Sequence, residues 1–317
     1  MRLAIRANGN RRAGLGHLGR CMALAQAFRE RGRNPVFLGL DGACARWVRS
    51  HGFGTRPLGS GDWDILIADS YEFTDSDLLW NRRHGRTLLV VDDFGTSRAP
   101  CDWLLSSHVY APGLDFHATA AAGLLIGPKF HLMRREYWTP ARPRRISGRI
   151  REVLVTLGGG DGWGLAERVV RELLETLPAA RLHLLLGPLA PETPPSFPSR
   201  VALHRGLLNL RPLIEACDAA LTAGGQMLYE LAFAGTPTVA LNLGRDQNGN
   251  IAGMTAAGAT LSVGQPDMRG FLPRLRAAFR KLDRSPRLRR ELGARAGRIL
   301  DGQGARRVAR LLLEDRP

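Results

Sequence analysis

Lysine is almost absent from this chain of 317 residues: only Lys129 and Lys281 carry it, and arginine supplies nearly all the basic charge. The skew fits the codon usage of a GC-rich genome. The formal charge is +16, yet the arginines are scattered and aromatic residues make up only 7%. A nucleic-acid face needs clustered basic residues with aromatics between them, so we read a basic surface that attracts anionic substrates but binds no nucleic acid. Cysteine is scarce as well. Cys21, Cys44, Cys101 and Cys217 lie far apart with no C-x-x-C pair, which argues against a disulfide framework and a zinc site. No histidine pair has H-x-x-x-H spacing, and neither a metal nor a cofactor is expected. No apolar run is long enough to span a bilayer, so no membrane insertion is expected. The opening Met1–Gly9 lacks a signal-peptide core and reads as a first strand, which makes a cytoplasmic location the expectation.

What is present is an ordinary globular composition, 44% hydrophobic and 23% charged, with a length that favours two domains. Short apolar runs alternate with helical periodicity from end to end. Strands are predicted at Leu3–Arg6, Val36–Leu40, Ile65–Ala68, Thr87–Val91, Val153–Leu157, Leu182–Leu186, Ala219–Thr222 and Thr238–Asn242. Helices such as Leu18–Arg31 and Gly164–Leu177 fall between them, and Met268–Asp283, Pro286–Leu300 and Ala305–Glu314 close the chain. This alternation predicts an α/β fold of parallel sheets with crossover helices. Thr139–Arg145, with two prolines and three arginines, breaks the pattern and reads as a linker. The expected architecture is two Rossmann-like domains facing across a cleft, over 1–140 and 146–317, with the last helix packing back on the first domain.

Three glycine loops stand out. The first runs Gly14-Leu15-Gly16-His17-Leu18-Gly19-Arg20, between a strand and a helix. Glycines let backbone N–H groups approach an anion, a helix N-terminus favours negative charge, and an imidazole there is suited to take a proton. The pattern points to a phosphate-bearing ligand bound by Gly14, Gly16 and Arg20 beside a general base, His17. The second loop, Gly158-Gly159-Gly160-Asp161, follows the first strand after the linker. Gly158, Gly159 and Asp161 are its candidate ligand contacts. The third, Gly224-Gly225-Gln226, opens a helix that carries Glu230 one turn beyond Gln226. Gly224, Gly225 and Gln226 are placed to line a diphosphate, and the Glu230 carboxylate can accept from two ribose hydroxyls. The plain alternative is a structural strand–helix–strand unit with a solvated Glu230.

Taken in order, these motifs resemble a known family. The chain is similar to nucleotide-sugar glycosyltransferases with two Rossmann-like domains (the GT-B type). Within that class it most resembles the UDP-sugar hydrolases of pseudaminic acid biosynthesis. The resemblance rests on Gly14-x-Gly16-His17-x-x-Arg20, Asp69-Ser70-Tyr71, Asp92-Asp93, Cys101-Asp102, and Gly127 with Met133-Arg134. It continues through Leu157-Gly158-Gly159-x-Asp161, Asn209 before Leu213-Ile214, the Gly224–Pro237 block, Gln247, and Asp301-Gly302-x-Gly304-Ala305-x-Arg307. It implies a UDP-sugar substrate, His17 as catalytic base, Tyr71 as a substrate or water contact, and metal-independent chemistry. The family's usual Asn-Gln stands here as Asp246-Gln247. A carboxylate only accepts hydrogen bonds and would repel a diphosphate, whereas an Asp-Gln pair suits sugar hydroxyls. That departure keeps two further readings open: a glycosyltransferase with an acceptor hydroxyl or amine in place of water, and a non-catalytic nucleotide-sugar binding protein. Asp92-Asp93 also resembles a manganese-binding pair, although its place after a buried strand favours a turn or supporting role.

Overall fold

The computed structural model describes residues 1–8, 16–98, 100–116, 121–158, 163–187, 195–207 and 209–314. The chain divides into two compact units, Met1–Trp138 with Gly302–Pro317, and Thr139–Asp301.

The first unit holds seven strands: β1 (Leu3–Ala7), β2 (Val36–Leu38), β3 (Gly54–Arg56), β4 (Trp63–Asp69), β5 (Gly85–Val91), β6 (Cys101–Ser106) and β7 (Ala121–Ile126). They form one parallel sheet in the order β3-β2-β1-β4-β5-β6-β7. Side chains alternate across a strand. Leu3, Ile5, Ile65, Ile67, Leu89 and Val91 share one core with Leu18, Leu24 and Phe28 of α1 (Gly16–Glu30). Ala4, Leu66, Ala68, Leu88 and Val90 form the core of the other face, against Trp80 of α3 (Asp75–His84). Both faces are covered, which is why the central strands read as unbroken apolar runs. Each large side chain so buried contributes roughly 1.5–3 kcal/mol.

The last helix, α10 (Gly304–Glu314), belongs to this unit. Its Ala305, Val308, Ala309 and Leu312 join the α1 core, and Arg306 makes a two-pronged ion pair to Glu30 at 2.7 and 2.8 Å. Gly304 permits that docking, since a Cβ there would stand 2.2 Å from the carbonyl oxygen of His131.

The second unit holds β8 (Glu152–Thr156), β9 (Arg181–Leu186), β10 (Val201–Arg205), β11 (Ala219–Ala223), β12 (Thr238–Leu241) and β13 (Thr260–Ser262). Its parallel sheet runs β10-β9-β8-β11-β12-β13. Val153, Val155, Leu182, Leu221 and Val239 pack against Val169 and Leu173 of α4 (Trp163–Thr176) and Leu275 and Phe279 of α8 (Phe271–Arg284). The segment expected as a linker is tied to this unit. Arg144 donates to the carbonyls of Cys217 and Ile214 at 2.6 and 3.0 Å, and Arg211 donates to those of Thr139 and Pro140 at 2.9 and 2.5 Å.

The chain therefore folds as two Rossmann-like parallel α/β domains. In each sheet the direction of strand addition reverses once, between β1 and β4 and between β8 and β11. Ligands of such sheets bind beyond the carboxyl ends of the strands at that reversal. Among the described residues no helix is long and apolar enough to cross a membrane.

Candidate active site

Four strands of the first unit deliver polar side chains at their carboxyl ends. After β1 comes α1 with His17 in its first turn and Arg20 three residues on, on the same helix face. β4 ends on Asp69 and is followed by Tyr71; β5 is followed by Asp92-Asp93, and β6 by Ser107-His108.

Asp69, with no exposed surface, is the hub. Its Oδ1 accepts from His17 Nδ1 at 2.6 Å and from Arg20 Nη2 at 2.6 Å, while Oδ2 accepts from Arg20 Nε at 2.6 Å and from the Cys21 thiol at 3.3 Å. A carboxylate can only accept, so the hydrogen of His17 sits on Nδ1 and the basic lone pair on Nε2. The 3.1 Å approach of Arg20 Nη2 to Nδ1 is then a contact of two donors, not a hydrogen bond. Arg20 also donates through Nη1 to Asp93 Oδ2 at 2.7 Å. Asp93, 1% exposed, further accepts from the Tyr71 hydroxyl and lies 3.1 Å from His108 Nδ1. Tyr110 donates to the Asp93 carbonyl at 2.9 Å.

Burying this many charges is costly unless each is paired, and the pairing fixes their ionisation. Burial pushes the Asp69 carboxyl up, but the charge and hydrogen bonds of Arg20, with the bond from His17, outweigh it and hold it below the usual carboxylate range. Burial likewise raises Asp93, and Arg20, His108 and the Tyr71 hydroxyl together bring it well below that range. Burial and the neighbouring Asp93 push the Tyr71 hydroxyl up, so it stays a donor. Burial and Asp69 push the Cys21 thiol well up, which makes it an inert thiol and not a nucleophile.

Arg20, expected as a substrate contact, is 7% exposed and engaged by two carboxylates, so here it holds Asp69 and Asp93. Asp92 closes a turn: its Oδ1 accepts from the N–H groups of Phe94 and Gly95 at 2.9 and 3.0 Å, and its Oδ2 from that of Ser97 at 2.7 Å. Among the described residues no group of three or more His, Cys, Asp or Glu side chains is placed to hold a metal ion. Gly16 opens α1, with open space where a Cβ would stand; Gly14 lies outside the described residues.

The second unit presents its own constellation beyond β8, β11 and β12. Gly158 follows β8 with φ +93°, which favours glycine; Gly159 and Asp161 lie outside the described residues. Gly224 ends the β11 turn, and a Cβ there would stand 2.7 Å from Ile251 Cγ1 and 2.9 Å from Gln247 Cβ. Its N–H donates to Gln247 Oε1 at 3.1 Å, and its carbonyl accepts from Asn250 Nδ2 at 2.9 Å. Asn250 is held in turn by the Tyr229 hydroxyl at 2.5 Å. Gln247 Oε1 also accepts from the Leu243 N–H at 3.1 Å, so this side chain braces two loops. Gly224 was expected to line a diphosphate; its own N–H is bonded to Gln247, and its lack of a side chain lets α7 (Asn248–Ala256) close on the turn. Gly225, the N-cap residue of α6 (Gln226–Phe233), has open space where a Cβ would stand and supplies no side-chain cap of its own. Gln226 is half-buried in that first turn, Glu230 is buried in the next, and Asp246 is exposed.

The sequence offered no site role for Asp69, His108 or Asn250, and for Asp93 only a metal-binding pair with Asp92 or a turn or supporting role. A charged residue ending an apolar strand, as Asp69 does, was the available signal; His108 follows a strand that had not been predicted.

No protein-family model matches the chain. It is 26% identical to the pseudaminic acid cytidylyltransferase and UDP-2,4-diacetamido-2,4,6-trideoxy-β-L-altropyranose hydrolase of Helicobacter pylori, over 74% of this chain and 43% of that protein. It is 22% identical to the spore coat polysaccharide biosynthesis protein SpsG of Bacillus subtilis, over 98% of each. The chain spans about half the length of the first of these and of an uncharacterised relative from Methanocaldococcus jannaschii, 43% and 55%. Among solved structures it matches the glycosyltransferase of kitacinnamycin with a TM-score of 0.69 at 18% identity, over 100% of this chain and 99% of that one. It matches MurG of Acinetobacter baumannii with a TM-score of 0.65 at 13% identity, over 99% of each. The two parallel-sheet domains are thus those of the GT-B glycosyltransferase fold.

Proposed function

We propose that this chain hydrolyses a UDP-activated amino-deoxysugar at its anomeric carbon, releasing UDP and the free sugar. The observation that carries this reading is the buried His17–Asp69 pair, 2.6 Å apart at the strand-order reversal. Asp69 fixes the tautomer that leaves Nε2 basic, and its negative charge stabilises the imidazolium that forms as Nε2 takes a proton from water. The water oxygen bonds to the anomeric carbon. The bond from that carbon to the phosphate oxygen breaks, and its electron pair leaves with UDP. Arg20 keeps Asp69 ionised throughout. General-base help of this kind supplies ~10²–10⁴-fold in rate.

In this reading the first unit carries the base, and the second, Thr139–Asp301, binds the nucleotide. The start of α6 at Gly225 and Gln226 faces the diphosphate with its helix dipole, and Glu230 accepts from the ribose hydroxyls. No metal and no cofactor takes part, so activity should survive EDTA. The hydrolase named in the H. pylori relative supports the choice of reaction. A second reading is transfer of the sugar to an acceptor hydroxyl or amine, favoured by the glycosyltransferases that share the fold. The test is incubation with UDP-2,4-diacetamido-2,4,6-trideoxy-β-L-altropyranose, with and without acceptors, following UDP and free sugar. Hydrolysis predicts UDP release without an acceptor, lost in His17→Asn while UDP binding stays. Release only with an acceptor present selects the transferase.

A further inference from the structure

Asp92 and Asp93 do not gather toward a shared ligand. Asp93 holds the Tyr71 side chain, and Asp92 the backbone of the turn that carries Phe94. Asp93, fully buried, receives the Tyr71 hydroxyl, so the ring is anchored at its polar end while 49% of the residue stays exposed. Asp92 receives the N–H groups of Phe94, Gly95 and Ser97 and so closes the turn that carries Phe94, which is 39% exposed. The two rings lie against each other with centroids 4.9 Å apart, and Tyr71 meets the His17 ring edge-on at 4.2 Å. A stair of three rings therefore leads from the general base to an exposed phenyl group. The exposed part of these rings adds nothing to the core, and the Tyr71 hydroxyl bond to Asp93 and the turn closed by Asp92 keep both at the surface.

We propose that the Tyr71–Phe94 ledge is the subsite for the glycosyl ring, with Phe94 as a specificity-determining residue for sugars that carry apolar groups. The inference rests on the reading of His17 as the base at the anomeric carbon, since that places the sugar beside the ring that touches Tyr71. A pyranose with acetamido methyls and a deoxy carbon presents C–H groups to a π-face; a fully hydroxylated sugar presents hydroxyls that would lose water without gaining a partner. The ledge thus selects for deoxy and acylated sugars by the surface it desolvates.

The test separates the ledge from the hydrolase reading. Saturation-transfer NMR is recorded on UDP-2,4-diacetamido-2,4,6-trideoxy-β-L-altropyranose with His17→Asn, which stops turnover, and with His17→Asn/Phe94→Ala. The ledge predicts strong transfer to the sugar methyls in the first, at least halved in the second, with transfer to the uridine protons unchanged; Phe94→Tyr in the same background restores it. In the His17-intact protein, Phe94→Ala should raise KM ~3–10-fold with the Kd for UDP unchanged. Sugar methyl signals that ignore Phe94, or that are absent while uridine signals persist, overturn the ledge. Phe94-dependent signals with an intact chain that releases no UDP without an acceptor keep the ledge and overturn hydrolysis.

Discussion

Replacing Asp69 by asparagine tests the centre of the site with almost no change in shape. Both carboxylate oxygens of Asp69 face donors: His17 Nδ1 and Arg20 Nη2 on one side, Arg20 Nε and the Cys21 thiol on the other. An amide has one oxygen and one NH₂, so either flip points a donor at a donor. If the NH₂ faces His17, the imidazole must accept at Nδ1, its hydrogen moves to Nε2 and the base is lost. If it faces Arg20 Nε, the guanidinium loses its two-pronged partner and keeps Asp93 at 2.7 Å. Breaking a buried ion pair from one side costs ~3–5 kcal/mol. The surviving Asp93 contact puts the value here at about 3 kcal/mol, within the 5–15 kcal/mol typical of a domain, so Asp69→Asn should stay folded. Turnover should fall ~10²–10⁴-fold, because orientation and tautomer of the base go together. The assay is UDP release at saturating UDP-sugar, with urea unfolding and calorimetric UDP binding on the same preparation. UDP affinity should be unchanged. A folded Asp69→Asn that turns over within threefold of the parent would refute the His17–Asp69 pair as the catalytic unit.

Three further outcomes follow from the same geometry. Gly224→Ala forces a methyl to within 2.7 Å of Ile251 Cγ1 and 2.9 Å of Gln247 Cβ, so stability should drop ~1–3 kcal/mol in urea unfolding and UDP affinity should drop with it. Glu230→Ala removes the carboxylate proposed to accept from the ribose hydroxyls and should weaken UDP binding by ~1–3 kcal/mol in calorimetry; an unchanged affinity with the fold intact counts against the ribose assignment. Asp69 and Asp93 are held below the ordinary carboxylate range in the folded chain, so their contribution to stability is complete above an unfolded pKa of about 4 and is lost as pH falls through the depressed folded values. Urea midpoints should hold down to about pH 5 and collapse below pH 4, with a shallower fall in Asp93→Asn; equal slopes would argue against the network.

Much of the architecture was legible because central parallel strands bury both faces. Leu3–Ala7 and Ala219–Ala223 are buried at every position and read as strands without help. The missed strands are those whose environment is mixed. Gly54-Thr55-Arg56 is short and largely exposed at the sheet edge, and Val201–Arg205 is fully buried only at its first residue. In Ala121–Ile126 the glycine that interrupts the pattern, Gly123, makes room for the Trp103 indole, whose ring atom would stand 2.3 Å from a Cβ. The site divides in the same way. His17 announces itself through local glycines, but its partner Asp69 is 52 residues away and the Arg20–Asp93 bond spans 73. Gly224 was visible as a glycine, whereas its reason lies on Gln247 and Ile251, which only the folded chain brings to it. Spacing reveals what one element does; it does not reveal which strand ends share a charge.

The central claim is that water attacks the anomeric carbon with the help of His17. The most direct measurement is a reaction in ¹⁸O-labelled water with the UDP-sugar and no acceptor, followed by mass spectrometry of both products. The account predicts label in the free sugar and none in UDP. Label in UDP or UMP would mean attack at phosphorus and would contradict it.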